Sequence, residues 1–380
     1  MAYAYSPGLK VLKSTVLRRN RRLPIKGQTL VKIGDKVGAE QVVLKTELPG
    51  KADVVNVMSL LGCQPHEVKQ FMVKPIGDHV EKGELLAMRA AFFGLFKTRI
   101  ESPMSGTIES VSDVSGQVVM RGAPVPVDVK AYIDGKVVEA DEGEHVTVEV
   151  TGSFIQGIFG VGGETYGRIV VASDDPNGVL DENSFTEGMK GAVVVGGSLI
   201  TYDGLQKAIA VGVNAVVVGG FDDADLKKFL GFDLGVAITG HEELGLTLVL
   251  TEGFGQIPMA DKTFALLKEC EGKNASVNGA TQIRAGVMRP EIIVARDEEA
   301  SMKENEAKLI LDIGTRVRVI REPYFGMFGT VTALPAELTK LPTESLARVL
   351  DLKFDNGTVA TVPRANVEIM ATEKDDTQEN

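Results

Sequence analysis

At 380 residues, with 44% apolar and 24% charged positions, the chain has the composition of a folded protein of roughly two to four domains. No apolar run approaches the ~20 residues of a membrane-spanning helix, and residues 1–8 lack the charged-then-apolar layout of a secretory leader. Two cysteines, Cys63 and Cys270, give no disulfide framework and fit a reducing cytoplasm. The net charge is −11, yet the first 32 residues hold eight Lys or Arg and no acid.

Residues 1–24 read as a basic N-terminal arm. Arg18, Arg19, Arg21 and Arg22 can grip the phosphates of RNA or DNA or contact a ribosomal surface. The alternative, and the more ordinary outcome for so short a basic run, is pairing with acidic surface of the same chain.

A repeat follows, with an offset of 43 residues between Gly34-Asp35 and Gly77-Asp78. In both copies, 31–43 and 73–87, apolar residues alternate around the Gly-Asp turn, the pattern of a hairpin with one buried face. Such a duplication predicts two similar units packed on each other. The second copy, with Ser102-Pro103-Met104-Ser105-Gly106 after it, resembles the biotinyl/lipoyl-type barrel-sandwich hybrid, so residues 25–150 are expected to form a β domain of that kind. In carrier members of that family the attachment lysine occupies a hairpin tip about eight residues before the proline. Leu95 stands there instead, so the resemblance implies a docking module without a swinging arm. The tip Phe92, Phe93, Leu95 and Phe96 is either buried by the rest of the chain, the expected outcome, or a protein-contact patch.

Residues 151–300 read as an α/β domain with a mainly parallel sheet. Apolar runs at 191–197 and 214–220 predict strands covered on both faces. Helices are expected at 202–211, 223–230 and 259–270, with further strands at 234–239 and 246–251. Ligands of such sheets sit at the carboxyl ends of the strands. Those ends supply Gly196, Gly197, Ser198, Thr239, His241, Glu242, Thr251 and Glu252, where glycines admit close backbone approach and His241 beside Glu242 can move a proton. No Walker phrase, dinucleotide fingerprint or nucleophile elbow is present, and glycine after a strand is more often plain turn geometry. No catalytic residue and no cofactor is therefore assigned.

Arg284 and Arg289 can fork an anionic ligand or, preferably, brace a domain junction through Glu291 or another carboxylate. Cys63 and His66 form a single CxxH pair with no second pair, so no metal site is assigned, and Pro65 suits the first position of a helix. Residues 301–311 read as a linker helix, and 371–380 as a disordered tail.

Between them, Gly314 to Ile320 and Pro323 to Val331 resemble a KOW motif, with closing strands around Asn356-Gly357 and 362–369. The resemblance implies a small SH3-like β barrel over 312–370 that binds RNA or protein, with Arg316, Arg318, Arg321, Tyr324 and Phe325 as the contact set. Seven basic residues are offset by seven acidic ones between Asp312 and Glu368, which argues against binding driven by phosphate charge.

These readings predict a multidomain, non-enzymatic bacterial protein of the cytoplasm. It is expected to dock on a large protein or nucleoprotein complex such as a ribosome or RNA polymerase. The alternatives are an enzyme or small-ligand sensor using the strand ends, and a self-assembling homo-oligomer.

Overall fold

The computed structural model describes residues 9–91, 96–231, 240, 242, 244–282, 288–296, 311–319, 321, 323–324, 326–340 and 346–369. Among them the protein is strand-rich, with five sheets of thirteen, six, four, three and two strands. No helix of the described residues is long and apolar enough to cross a membrane.

The thirteen-stranded sheet carries the parallel strands that the apolar runs predict. Glu164–Val171, Val193–Val195, Ala215–Phe221 and Thr247–Phe254 lie side by side and run parallel. Their residues alternate between two cores. Val194, Val216, Val218, Leu248 and Leu250 pack with Leu205, Ala208 and Leu226 from helices Tyr202–Val211 and Asp223–Leu230. Val193, Val195, Ala215, Val217 and Val249 pack with Phe264 and Leu267 of helix Asp261–Glu269. Burial on both faces explains why these strands read as continuous apolar runs. Helix entry is set locally: Thr201 accepts a hydrogen bond from Gly204 N, and Asp222 accepts from Ala224 N and Asp225 N.

The boundary expected between residues 150 and 151 falls inside the strand His145–Gln156. One edge of this strand pairs with Val11–Arg22 along its length. The other pairs with Gly135–Asp141 near its start and Glu291–Ala295 near its end. It ties the N-terminal elements and the parallel strands into one sheet. The segment expected as a basic arm is thus the twelve-residue strand Val11–Arg22, whose Arg18 stands directly opposite Glu149. The charged face hid its alternation, because Arg18 and Arg22 stand on exposed positions between half-buried or buried ones.

The repeat folds twice into the same local structure. Gly34 and Gly77 take φ of 98° and 96°, which the turn requires and which glycine adopts without strain. Leu30 N donates to Val43 O as Val73 N does to Leu86 O, and Gly34 N to Val137 O as Gly77 N to Ile108 O. The copies do not share a core, contrary to the expected packing of one on the other. Val37, Val43, Leu44 and Val137 belong to one cluster, and Val80, Leu86, Ala87 and Ile108 to another. The connectivity explains this separation. Strand Val42–Leu48 pairs with Val125–Lys130 and encloses residues 49–124, whereas Leu85–Ala91 pairs with Phe96–Glu101 and encloses only 92–95. The second copy is inserted where the first would have its hairpin tip.

The six-stranded sheet is antiparallel. Its strands are Arg316–Val319, Phe328–Ala333, Leu338–Lys340, Leu346–Phe354, Val359–Pro363 and Val367–Ile369, with the 3₁₀ turn Arg364–Asn366 joining the last two. Val317, Val319, Val331, Leu352, Val367 and Ile369 fill its core. Of the expected linker helix only Leu311 lies among the described residues, and it joins this core; the expected strand 234–239 and the tail 371–380 lie outside them.

Candidate functional site

Strand alternation places the most buried charges among the described residues. Val317 and Val319 point into the core of the six-stranded sheet, so Arg318 between them points out of it; Glu368, between Val367 and Ile369, does the same. The two are direct cross-strand partners, and Arg318 Nη2 donates to Glu368 Oε2 at 2.9 Å. Both are 0% exposed because this face lies on the carboxyl end of Thr247–Phe254. There Arg318 Nη1 donates to Glu252 O at 2.6 Å and Thr251 O at 3.2 Å, with the Glu252 carboxylate 3.7 Å away. Arg289 Nη1 donates to Glu368 Oε1 at 3.2 Å, and the Phe328 ring lies 5.7 Å from the Arg318 guanidinium. Two arginines and two glutamates make a neutral cluster, the condition under which charges persist without water.

Among the described residues, the strand ends at 196–198 and 251–252 are filled from within the chain. A Cβ on Gly197 would lie 2.5 Å from Asp175 O and Gly178 N, and one on Gly196 2.5 Å from the Leu180 side chain. Ser198 is buried and donates to Asn177 O at 2.8 Å. Thr251 is buried, and Glu252 Oε1 accepts from Ala260 N at the start of helix Asp261–Glu269. Glu242 Oε2 accepts from Gly240 N at 2.7 Å. Gly197 admits close approach of the loop backbone, and Gly196 that of the Leu180 and Val218 side chains. Thr239, His241 and Arg284 lie outside the described residues.

The residues read as nucleic-acid or partner contacts divide. Arg18 pairs with Glu149 at 2.7 Å, Arg19 makes a bidentate pair with Glu291, and Arg21 spans Glu164 through both terminal nitrogens at 2.7 and 2.6 Å. Their partners are carboxylates of the same chain; Arg22 is exposed. In the C-terminal sheet Arg318 is withdrawn into the cluster, and Tyr324 packs on Phe354 at 5.1 Å. Arg316 is exposed and pairs with Asp355, and Arg321 is exposed. Phe325, Phe92, Phe93 and Leu95 lie outside the described residues, as does the side chain of Phe96. Among the described residues no group of three His, Cys, Asp or Glu is placed to hold a metal ion. Pro65 opens a 3₁₀ turn as its position predicts, and Arg289 braces a junction, with Glu368 as its carboxylate.

A second polar network, not foreseen from sequence, lies where the repeat region meets the parallel strands. Tyr132 is the one non-glycine residue with positive φ (73°) among those described, a conformation costing about 1–2 kcal/mol. It persists because backbone and side chain are both held. Tyr132 N donates to Ala39 O at 2.8 Å, its hydroxyl donates to Glu291 Oε1 at 3.1 Å, and Arg21 lies over its ring. Tyr166 donates to Asp134 Oδ2 at 2.6 Å.

Burial, followed by the carboxylates of Glu291 and Glu164, pushes the Tyr132 hydroxyl well above the ordinary tyrosine value. Burial and the bond to Asp134 push Tyr166 up to about 12. Raised values mean that the folded state holds these protons more tightly than the unfolded chain. The resulting stability is complete below pH ~10, where unfolded tyrosine is protonated too, and is lost as pH rises through the folded values. An ultraviolet titration is expected to show tyrosine ionising late, with Tyr132→Phe and Tyr166→Phe each removing part of that late phase. Ionisation complete near pH ~10 in the native chain would contradict the network.

No protein-family model matches the chain, and no curated protein matches its sequence.

Proposed function

We propose that this chain is a non-enzymatic adaptor of the bacterial cytoplasm that docks on a large protein or nucleoprotein complex of the ribosome or RNA polymerase kind. The carrying observation is the closure of the strand ends. Where a ligand of a parallel sheet would bind, Arg318 bonds to Thr251 O and Glu252 O, and loop backbone packs against Gly197. A closed site favours docking over the enzyme or sensor reading.

Two further features support the adaptor. The duplicated Gly-Asp hairpin is compatible with a barrel-sandwich hybrid module. The six antiparallel strands with a 3₁₀ turn before the last are compatible with an SH3-like barrel of the KOW type. Within the barrel the burial of Arg318 and the seven-to-seven charge balance favour a protein partner over RNA held by phosphate charge. The docking surface on this reading is the hairpin Leu338–Lys340 with Leu346–Phe354. There Leu338 and Leu346 are 57% and 64% exposed and share one face, and Arg316 on another strand of the sheet and Arg321 beyond that strand's end are exposed cations.

Affinity capture of the intact protein from its native cytoplasm, with and without nuclease, followed by mass spectrometry, tests this. Ribosomal or polymerase subunits are expected, and their recovery is expected to fall with Leu338→Asp and Leu346→Asp while the melting temperature holds. Recovery of the protein alone, as a monomer or a large homo-oligomer, would overturn the adaptor.

A further inference from the structure

A cavity of about 130 Å³ lies between the repeat region and the parallel strands, and none of its lining residues belongs to the Arg318 cluster. One wall comes from Glu40, Lys130 and Tyr132, the other from Glu164, Tyr166 and Asn214. The volume is well under the ~300–1,000 Å³ of sites for drug-sized ligands, which excludes a nucleotide and leaves room for a molecule of a few heavy atoms.

The floor is rigid. Tyr132 is pinned by Glu291 and Ala39 O, Tyr166 by Asp134, whose other oxygen accepts from Ala39 N at 2.8 Å, and Asn214 Nδ2 donates to Tyr166 O at 2.8 Å. The rim is soft. Lys130 Nζ stands 3.5 Å from Glu40 Oε1, with side chains 56% and 70% exposed, a pair held weakly enough for a ligand to open. The other rim carboxylate, Glu164, is already bound on both oxygens by Arg21. The loosely paired Lys130 cation and Glu40 anion at the mouth suit neither a simple anion nor a simple cation. They suit a molecule carrying both charges, which exchanges the loose ion pair for two matched ones. Pre-formed aromatic walls keep the ordering cost of binding small.

We propose that this cavity binds a small zwitterion of the α-amino-acid class, its carboxylate on Lys130, its ammonium on Glu40 and its hydrocarbon part against Tyr132 and Tyr166.

Calorimetric titration of the full chain with each proteinogenic α-amino acid, with ethylamine and acetate as single-charge probes, tests the proposal. At least one amino acid is expected to bind, at least about tenfold more tightly than either single-charge probe. Lys130→Met and Glu40→Gln are each expected to weaken that binding at least about tenfold, about 1.4 kcal/mol. The melting temperature of each unliganded variant controls for folding. The assignment is overturned if no amino acid binds, if ethylamine or acetate binds as tightly, or if binding survives both substitutions in correctly folded protein.

Discussion

Arg318→Ala is expected to cost about 3–5 kcal/mol. The substitution leaves Glu368, itself 0% exposed, without its cross-strand cation, and strips Thr251 O and Glu252 O of their donor where water does not enter. Arg318→Lys is expected to recover little, since one ammonium cannot serve a carboxylate and two carbonyls as a planar guanidinium does. Replacing the pair together, Arg318→Met with Glu368→Leu, removes both buried charges and is expected to be less costly than Arg318→Ala alone, the remaining cost being the donor that Thr251 O and Glu252 O still lose. Arg289 would then lose its carboxylate, but it is 17% exposed and can turn to water. Urea unfolding measures the cost, and hydrogen exchange at residues 247–254 locates it. A loss below about 1 kcal/mol for Arg318→Ala would mean that the cluster does not hold the C-terminal sheet to the strand ends.

Gly197→Ala separates the packing and ligand readings of the strand ends. The added methyl would meet Asp175 O, Gly178 N and Gly178 O at 2.5 to 2.6 Å, all backbone atoms that cannot rotate away. The cost is expected at the upper end of the ~1–3 kcal/mol of an overpacked core, or beyond it. Ser198 N donates to Gly178 O and its hydroxyl to Asn177 O, so the disturbance reaches the loop at once. A glycine kept free for ligand approach behaves otherwise: alanine there abolishes binding and leaves thermal stability nearly unchanged. A melting curve for Gly197→Ala that overlays the parent would reopen the strand ends as a ligand site.

The two expectations share a physical origin. Gly197, Thr251 and Glu252 have the composition of a ligand loop because they sit where strands end and backbone polar groups lose their partners. Those groups need donors and acceptors whether or not a ligand comes. Here Arg318, from a strand 66 residues further along the chain than Glu252, supplies the donors. Sequence spacing carries no record of that meeting. The visible signal was local: a charged residue at the centre of Val317-Arg318-Val319, matched by Glu368 between Val367 and Ile369, marks a strand whose outer face is covered.

The basic N-terminal segment followed the same logic. Arg18, Arg19 and Arg21 resembled a phosphate-gripping run because their carboxylate partners, Glu149, Glu291 and Glu164, stand 131, 272 and 143 residues away. Tyr132 had no local signal at all. Its positive φ is held by contacts with Ala39, Glu291 and Arg21 that come from distant segments.

By itself the sequence determined whatever depends on neighbours along the chain. That includes the fully buried strands at 193–195 and 215–221, the helices that follow them with their Thr201 and Asp222 caps, the paired Gly-Asp turns, and the alternation of the C-terminal strands. Periodicity and capping act over a few residues and are written there. Tertiary structure alone decided that one strand, His145–Gln156, joins the two halves of the sheet, that one repeat is inserted into the other, and that Arg318 closes the strand ends. Each of these rests on pairing between residues far apart in sequence, where the free energy of burying a charge or completing a sheet edge selects the partner.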